Sequence, residues 1–241
     1  MKVIAILPAR LGSTRLPNKP LLEFDGKTMI RHTAMRVLSA GLEHVIVATD
    51  SEDIFKECET IKGVTPLMTS VDHTCGTERV LEAYNLIVPK LGEFDLILNV
   101  QGDEPFIEPA MLKELLEELE KRQGKAEFFT TVTDVPEGDQ EDINVAKVVV
   151  NVEGNALIFT REPLKGAKKH TSVYIYSPAF LKLFCSLPAS PLELSYRLEQ
   201  MRALDNNHNL QCIDLPFDAV SINDEADLKK AGVMEYKIFK P

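Results

Sequence analysis

The chain has 241 residues, 44% of them hydrophobic, which suits one α/β domain or one domain with an inserted lobe. A net charge of −10 disfavours a nucleic-acid partner, because proteins that bind polynucleotides usually carry a basic surface. The four cysteines have no metal-ligand or redox spacing, so we expect reduced thiols. They are Cys58, Cys75, Cys185 and Cys212.

The amino terminus and the hydropathy pattern predict a cytoplasmic protein. The first apolar run begins at Val3 and ends at Pro8, which is too short for the core of a signal peptide. No apolar run approaches the roughly 18 residues that would cross a bilayer. We therefore expect no membrane association.

Strand-like and helix-like segments alternate through the first half of the chain. Short apolar runs predict buried strands at residues 3–7, 44–48 and 95–100. Helical periodicity and stop signals predict helices at residues 29–39, after a Ser51 cap, and at 77–87 and 111–122. This alternation predicts an α/β fold with a doubly wound, mostly parallel sheet.

The pattern becomes rich in short strands after residue 125. Strands are predicted at residues 128–133, 146–152, 156–160, 171–176 and 210–215. Helices are predicted around residues 192–204 and from Asp224 onward.

The loop that follows the first predicted strand is cationic. Residues 8–20 contain Arg10, Arg15 and Lys19, and the first twenty residues contain no acid. Three cations beyond the carboxyl end of a buried strand could neutralise a polyphosphate. Ser13 adds a hydroxyl donor. The loop lacks both the dinucleotide fingerprint and the P-loop lysine motif.

Two further segments carry candidate site residues. Asp103 follows the third predicted strand, where a carboxylate could hold Mg²⁺ together with substrate phosphate oxygens. Residues 72–79 include an arginine and small residues that could frame a planar base. In the structural alternative, Thr74 or Thr77 simply caps the helix that follows.

Several stretches of the sequence match a known family in chain order. The most specific are Pro-Ala-Arg-Leu-Gly-Ser-Thr-Arg-Leu-Pro-Asn-Lys-Pro-Leu at 8–21, Gly-Thr-Glu-Arg at 76–79 and Asn-Val-Gln-Gly-Asp-Glu-Pro at 99–105. Further matches are Ala-Lys-Val-Val at 146–149 and Leu-Glu-Gln-Met-Arg at 198–202. Together they resemble the 3-deoxy-manno-octulosonate (Kdo) cytidylyltransferases, also called CMP-Kdo synthetases, over nearly the whole chain.

The resemblance implies a nucleotide-diphospho-sugar transferase-like fold. It implies a single domain over residues 1–241, with a small β-rich dimerisation lobe inserted at about 126–205, acting as a homodimer. The implied reaction transfers CMP from CTP to the anomeric hydroxyl of Kdo or a close ulosonic acid and releases pyrophosphate. The product would serve lipopolysaccharide biosynthesis.

The same resemblance assigns roles to individual residues. Arg10, Lys19 and Asp103 would be catalytic, with Asp103 binding Mg²⁺. The implied nucleotide-binding residues are Arg10, Ser13, Arg15, Lys19, Gly76, Thr77 and Arg79. The implied sugar-binding residues are Gln101, Arg161, His170, Glu199 and Gln200. A histidine just before a strand also has a structural reading, as a hydrogen-bond donor.

Two departures from the family pattern leave alternatives open. Asn223 stands where the resemblance predicts a second metal-binding aspartate, so the second site is weaker, Asp224 replaces it, or the acceptor differs from Kdo. Residues 162–169 form a shortened segment that alters the expected sugar side. The competing functions are a cytidylyltransferase for another acidic sugar, a relative using another nucleotide, and a catalytically silent nucleotide- or sugar-binding regulator.

Overall fold

The computed structural model describes residues 1–12, 15–122, 126–218 and 220–239. The chain forms two compact units, the first made of residues 1–113 and 219–241 and the second of residues 114–218. The second unit is therefore inserted in the sequence of the first. The predicted lobe lies within this inserted segment, and its part in dimerisation stays a prediction.

The elements alternate as the sequence predicts. The strands are β1 (Val3–Ala9), β2 (Glu23–Phe24), β3 (Lys27–Thr28), β4 (His44–Thr49), β5 (Val64–Met68), β6 (Leu96–Val100), β7 (Phe128–Asp134), β8 (Lys147–Val150), β9 (Ala156–Thr160), β10 (Lys168–Tyr176) and β11 (Gln211–Asp214). The helices are α1 (Met29–Ser39), α2 (Glu52–Glu59), α3 (Gly76–Leu91), α4 (Pro109–Lys121), α5 (Pro178–Ser186), α6 (Pro191–Tyr196), α7 (Met201–Asp205) and α8 (Glu225–Lys230).

The first unit contains four parallel strands in the order β6-β1-β4-β5. Strands β1, β4 and β6 are almost wholly buried apolar runs, as expected when helices cover a parallel sheet. Because neighbouring parallel strands end at the same edge, the loops after β1 and β6 lie side by side. The predicted α/β fold with a mostly parallel sheet is confirmed.

The C-terminal segment packs against the loop that follows β1. Ile222 and Leu228 share a buried apolar cluster with Leu16, Leu22 and Met29. The Ile222 N–H also donates to the carbonyl oxygen of Asp103 at 3.0 Å. Residues more than a hundred positions apart in sequence are thereby fixed around the end of β6.

Helix ends in the first unit confirm one predicted cap and correct another. The Ser51 hydroxyl accepts the N–H of Ile54, so the predicted cap of α2 is confirmed. The prediction that Thr74 or Thr77 caps α3 is wrong, because Cys75 occupies that position without a side-chain cap bond. The Thr74 hydroxyl instead bonds the Glu78 carboxylate, which also accepts the Thr74 N–H.

The second unit is built around β7. This strand pairs in parallel with β11 and antiparallel with β10, while β8 joins β10 to β9 through antiparallel pairs. Aromatic rings from β7, β10 and α5 stack in its core, with Phe128 and Tyr176 centroids 4.7 Å apart. The prediction that short strands predominate after residue 125 is confirmed.

The prediction of one continuous helix at residues 192–204 is wrong. The structure has two short helices there, α6 and α7, because Arg197 adopts a left-handed conformation with φ of 53° and ends the first of them. Within the residues that the structure describes, every helix is too short or too polar to cross a bilayer.

Candidate active site

A cavity of about 330 Å³ opens at the carboxyl ends of β1 and β6, all within the first unit. Its walls come from the loop after β1, the start of α3, the loop after β6 and Asn223. Gly102 allows the two strand-end loops to touch, since a Cβ there would lie 2.9 Å from the carbonyl oxygen of Pro8. This is the edge of the sheet where the sequence predicts ligand binding.

The cations of the first loop line this cavity together with Asp103. The Lys19 ammonium donates to the Asp103 carboxylate at 2.5 Å and to the carbonyl oxygen of Ile222 at 2.9 Å. Arg15 donates to the Asn223 side-chain oxygen at 3.3 Å. Arg10 is exposed and forms no salt bridge with the residues described. Ser13, the remaining candidate on this loop, lies outside the described residues.

The start of α3 contributes Gly76 and Arg79 to the cavity wall. Arg79 is only 2% exposed, and its guanidinium donates to Asp50 and to Thr69, each at 2.6 Å. Its charge is therefore neutralised within the protein, and only part of its surface faces the cavity. Thr77 is buried and does not line the cavity.

Gln101 and His73 complete the polar wall. The Gln101 amide donates to the Asn99 side-chain oxygen at 3.2 Å, and Gln101 lines the cavity. His73 hydrogen-bonds Glu82. Burial acts to raise the pKa of Glu82, but hydrogen bonds from Ser70 and His73, with the nearby charges of His73 and Arg79, hold that pKa below its usual value. His73 could not be singled out from the sequence, because no ligand-like spacing marks it.

The candidate sugar-binding residues lie in the second unit. The His170 ring nitrogen Nε2 is 2.8 Å from the Thr130 hydroxyl, which donates its hydrogen to the carbonyl oxygen of Val173. His170 must therefore donate from Nε2. Burial, helped by the positive charge of Arg161, lowers the pKa of His170 to about 3. His170 is thus a neutral side chain with Nδ1 as an acceptor, and a poor general base near neutrality.

Tyr174 connects His170 with Gln200. The Tyr174 ring centroid lies 5.1 Å from that of His170, and its hydroxyl donates to the Gln200 side-chain oxygen at 3.2 Å. The buried Gln200 Nε2 has no hydrogen-bond partner among the described residues. Glu199, adjacent in sequence, is half-buried. Tyr174 is therefore a further candidate site residue.

The buried neutral His170 predicts a specific pH dependence of stability. Its pKa is about 3 in the fold and 6.5 in the unfolded chain, so the unfolded state binds more protons between these values. The favourable contribution is complete above pH 6.5 and is lost as the pH falls toward 3. We expect His170→Gln to remove a slope of up to about 1.4 kcal/mol per pH unit from the unfolding free energy.

Urea unfolding of the unaltered protein and the variant at several pH values between 4 and 7.5 would measure this difference. His208→Gln, at a half-buried histidine of the same unit, serves as the control and should keep the slope. Equal slopes for the unaltered protein and His170→Gln would mean that the fold does not lower the pKa of His170.

Comparison with known proteins decides the family. A family model described as cytidylyltransferase matches residues 4–210. The 3-deoxy-manno-octulosonate cytidylyltransferase of Geobacter metallireducens is 36% identical over 251 residues, covering 95% of this chain and 96% of its own. The chain belongs to this cytidylyltransferase family.

Two other proteins are also similar to this cytidylyltransferase over most of its length. A protein of Shewanella frigidimarina, named 8-amino-3,8-dideoxy-manno-octulosonate cytidylyltransferase, is 35% identical and covers 95% of this chain and 97% of its own. A solved structure of CMP:2-keto-3-deoxy-manno-octonic acid synthetase complexed with CTP has a TM-score of 0.86 and 32% identity. It covers 96% of this chain and 97% of its own.

Proposed function

We propose that this cytidylyltransferase transfers CMP from CTP to the anomeric hydroxyl of Kdo, or of a close ulosonic acid, and releases pyrophosphate. The observation that carries the proposal is the cavity where Arg10, Arg15 and Lys19 meet Asp103, in a chain that belongs to this family. The product would feed lipopolysaccharide biosynthesis in the cytoplasm.

The residues of the cavity suit a triphosphate. Arg10 and Arg15 offer guanidinium forks to phosphate oxygens, and Lys19 offers a compact charge. The anomeric hydroxyl would release its proton to solvent as its oxygen bonds the α-phosphorus, while the bond from the α-phosphorus to the bridging oxygen breaks and pyrophosphate takes its electron pair. Fixed cations beside the leaving group stabilise the charge that develops there.

The donor set fits one Mg²⁺ bound largely through substrate. The Asp103 carboxylate and the Asn223 side chain line the same cavity, and Mg²⁺ often takes only one or two protein carboxylates alongside phosphate oxygens. Among the described residues no group of three or more His, Cys, Asp or Glu could hold a metal. When bound, the ion would polarise the phosphate and lower the pKa of the attacking hydroxyl.

Asp224 is engaged elsewhere. Its carboxylate caps α8 by accepting the N–H groups of Ala226 and Asp227, at 2.9 and 3.1 Å. We therefore favour Asn223 over Asp224 for any second metal contact, because an amide oxygen at the cavity wall needs no uncapping of a helix.

The acceptor would be recognised by the polar group of the second unit. Arg161 suits the carboxylate of a sugar acid, and the neutral His170 can accept a hydrogen bond from a hydroxyl. The buried Gln200 Nε2 offers a donor. The 8-amino sugar named for the Shewanella relative is the second candidate acceptor, since that relative is about as similar as the Geobacter one.

Pyrophosphate release over a grid of nucleotides and sugar acids tests the function. The four common nucleoside triphosphates would each be combined with Kdo, 8-amino-3,8-dideoxy-manno-octulosonate and N-acetylneuraminate, with Mg²⁺ or with EDTA. We expect turnover with CTP and an octulosonate in the presence of Mg²⁺. Binding of CTP with no turnover on any acceptor would identify a silent regulator instead.

We also propose that the enzyme acts as a homodimer, as the family resemblance implies. Light scattering during gel filtration would measure the mass in solution. A mass of one chain at micromolar concentration would contradict a stable dimer.

Replacing Lys19 by methionine should weaken the use of CTP. Losing a charged hydrogen-bond donor costs about 1.5–3 kcal/mol, so KM for CTP should rise by roughly 10- to 100-fold. Because the Asp103 carboxylate also loses its bonded cation, Mn²⁺ binding to the nucleotide-free protein should tighten, as measured by electron paramagnetic resonance. Lys62→Met, at an exposed site away from the cavity, is the control. Unchanged KM would remove Lys19 from the phosphate site.

A further inference from the structure

Lys147, the first residue of β8, is a buried cation whose ammonium donates to three backbone carbonyls. Its side chain is 1% exposed, and its ammonium donates to the carbonyl oxygens of Asp142, Val145 and Arg161 at 2.9, 3.2 and 3.3 Å. All three donors are used, and no carboxylate in the described part of the chain forms a salt bridge with it. A buried charge of this kind is costly to desolvate, which points to a role in fixing the local geometry.

The three carbonyl oxygens belong to Arg161 and to the loop that holds the Arg161 side chain. The Arg161 guanidinium donates to the carbonyl oxygens of Asn144 and Ile143, at 2.7 and 3.4 Å. Lys147 holds residues 142 and 145 at the two ends of this short loop, and it also holds the Arg161 carbonyl. Both the backbone of Arg161 and the support of its guanidinium therefore depend on the same ammonium.

Strand pairing places Lys147 between two candidate sugar-binding residues. Lys147 pairs with Thr160 on β9, directly before Arg161, and with Lys169 on β10, directly before His170. The His170 N–H also donates to the carbonyl oxygen at residue 146, at 2.9 Å.

We propose that Lys147 is a positioning residue that fixes the Arg161 guanidinium and so sets the affinity for the acidic sugar. The inference rests on the proposed function, because it takes Arg161 as a ligand of the sugar carboxylate. Lys147 also forms no salt bridge with a carboxylate of the described residues, so its positive charge favours an anionic ligand nearby. An interaction that orients a binding group is made before the chemistry, so its loss affects KM rather than kcat.

Lys147→Met tests the proposal, since it keeps an unbranched side chain one atom shorter and removes the charge and donors. We expect KM for the sugar acid to rise by about 10- to 100-fold, the scale expected for a displaced binding group, while kcat and KM for CTP stay within about twofold. Hydrogen exchange of residues 142–145 should quicken. Lys168→Met is the control, because Lys168 makes only partly exposed salt bridges beside it. An unchanged KM for the sugar acid would overturn the proposal.

Lys147→Gln gives a second variant if the methionine variant does not fold. Its amide can still donate to two carbonyls, so we expect a smaller rise in the same KM. A folded glutamine variant whose KM values for CTP and sugar rise equally would indicate a structural role only, against the proposal.

A double-mutant cycle separates action through Arg161 from independent action. If Lys147 works through Arg161, adding Lys147→Met to Arg161→Ala should raise KM for the sugar acid no further. If the two substitutions raised KM for the sugar acid by factors that multiply in the double variant, the proposal would be overturned. An Arg161→Ala variant with normal KM would also overturn it. Failure of the proposed function is distinguishable from these outcomes, because the unaltered protein would then release no pyrophosphate with any acceptor.

Discussion

Replacing Asp103 by alanine is expected to lower kcat by about 10²- to 10³-fold, the effect of losing one electrostatic stabiliser of a transition state. The Asp103 carboxylate is 30% exposed at the cavity and is bonded to Lys19. It is the candidate anchor for Mg²⁺, so its loss removes the ion from the reacting phosphate. KM for CTP should change less, because Arg10, Arg15 and Lys19 remain.

Steady-state kinetics at saturating CTP, sugar acid and Mg²⁺ would measure the loss. The fold should survive, because the bond from the Ile222 N–H goes to the backbone oxygen of residue 103 and not to its side chain. Asp72→Ala, at an exposed acid outside the cavity wall, is the matched control and should keep near-normal turnover. Turnover of Asp103→Ala within threefold of the unaltered protein would defeat the metal assignment.

The fold of the first unit could be predicted because its signals are local. Helix α1 has the predicted bounds, and the buried strands β1, β4 and β6 differ from prediction by one or two residues at an end. Strand β5 was missed, since Pro66 interrupts its apolar run. A proline is tolerated because β5 is an edge strand, a position that only the assembled sheet defines.

The errors in the second unit have two different causes. Arginine is not a residue type that indicates a positive φ, so the conformation of Arg197 could not be predicted. The periodicity of residues 192–204 therefore predicted one helix. Helix α5 was missed although Ser177 and Pro178 give an ordinary start signal. Ser190 and Glu193 likewise form a capping box that sequence could have revealed.

The residues of the candidate site could be predicted from the sequence better than the contacts between them. The strand-end rule places the loops of Lys19 and Asp103 together, and the structure confirms that they meet. The rule does not predict that Lys19 would bond Asp103 directly, or that Asn223 would bond Arg15 across 208 positions of sequence. Such pairs depend on tertiary packing of the C-terminal segment, which no local pattern encodes.

The largest expected effect on stability comes from Lys169, whose ammonium lies between two carboxylates. It bonds Asp139 at 2.7 Å and Asp218 at 2.6 Å, and the Lys169 and Asp139 side chains are 9% and 4% exposed. Lys169→Met would leave the Asp139 charge buried without this cation. We expect the unfolding free energy to fall by about 3–5 kcal/mol, the usual cost of breaking a buried ion pair from one side.

Removing the Asp218 carboxylate instead tests whether burial or pairing of the charges determines the loss of stability. Asp218 is 39% exposed, so Asp218→Asn should cost no more than about 1 kcal/mol although its bond to Lys169 is as short. Adding Asp139→Asn to Lys169→Met should recover much of the loss, because the buried side chain that lost this cation is then neutral. Urea unfolding of the four proteins measures all three differences. Equal losses for Lys169→Met and Asp218→Asn would show that burial of Asp139 does not control the stability of this cluster.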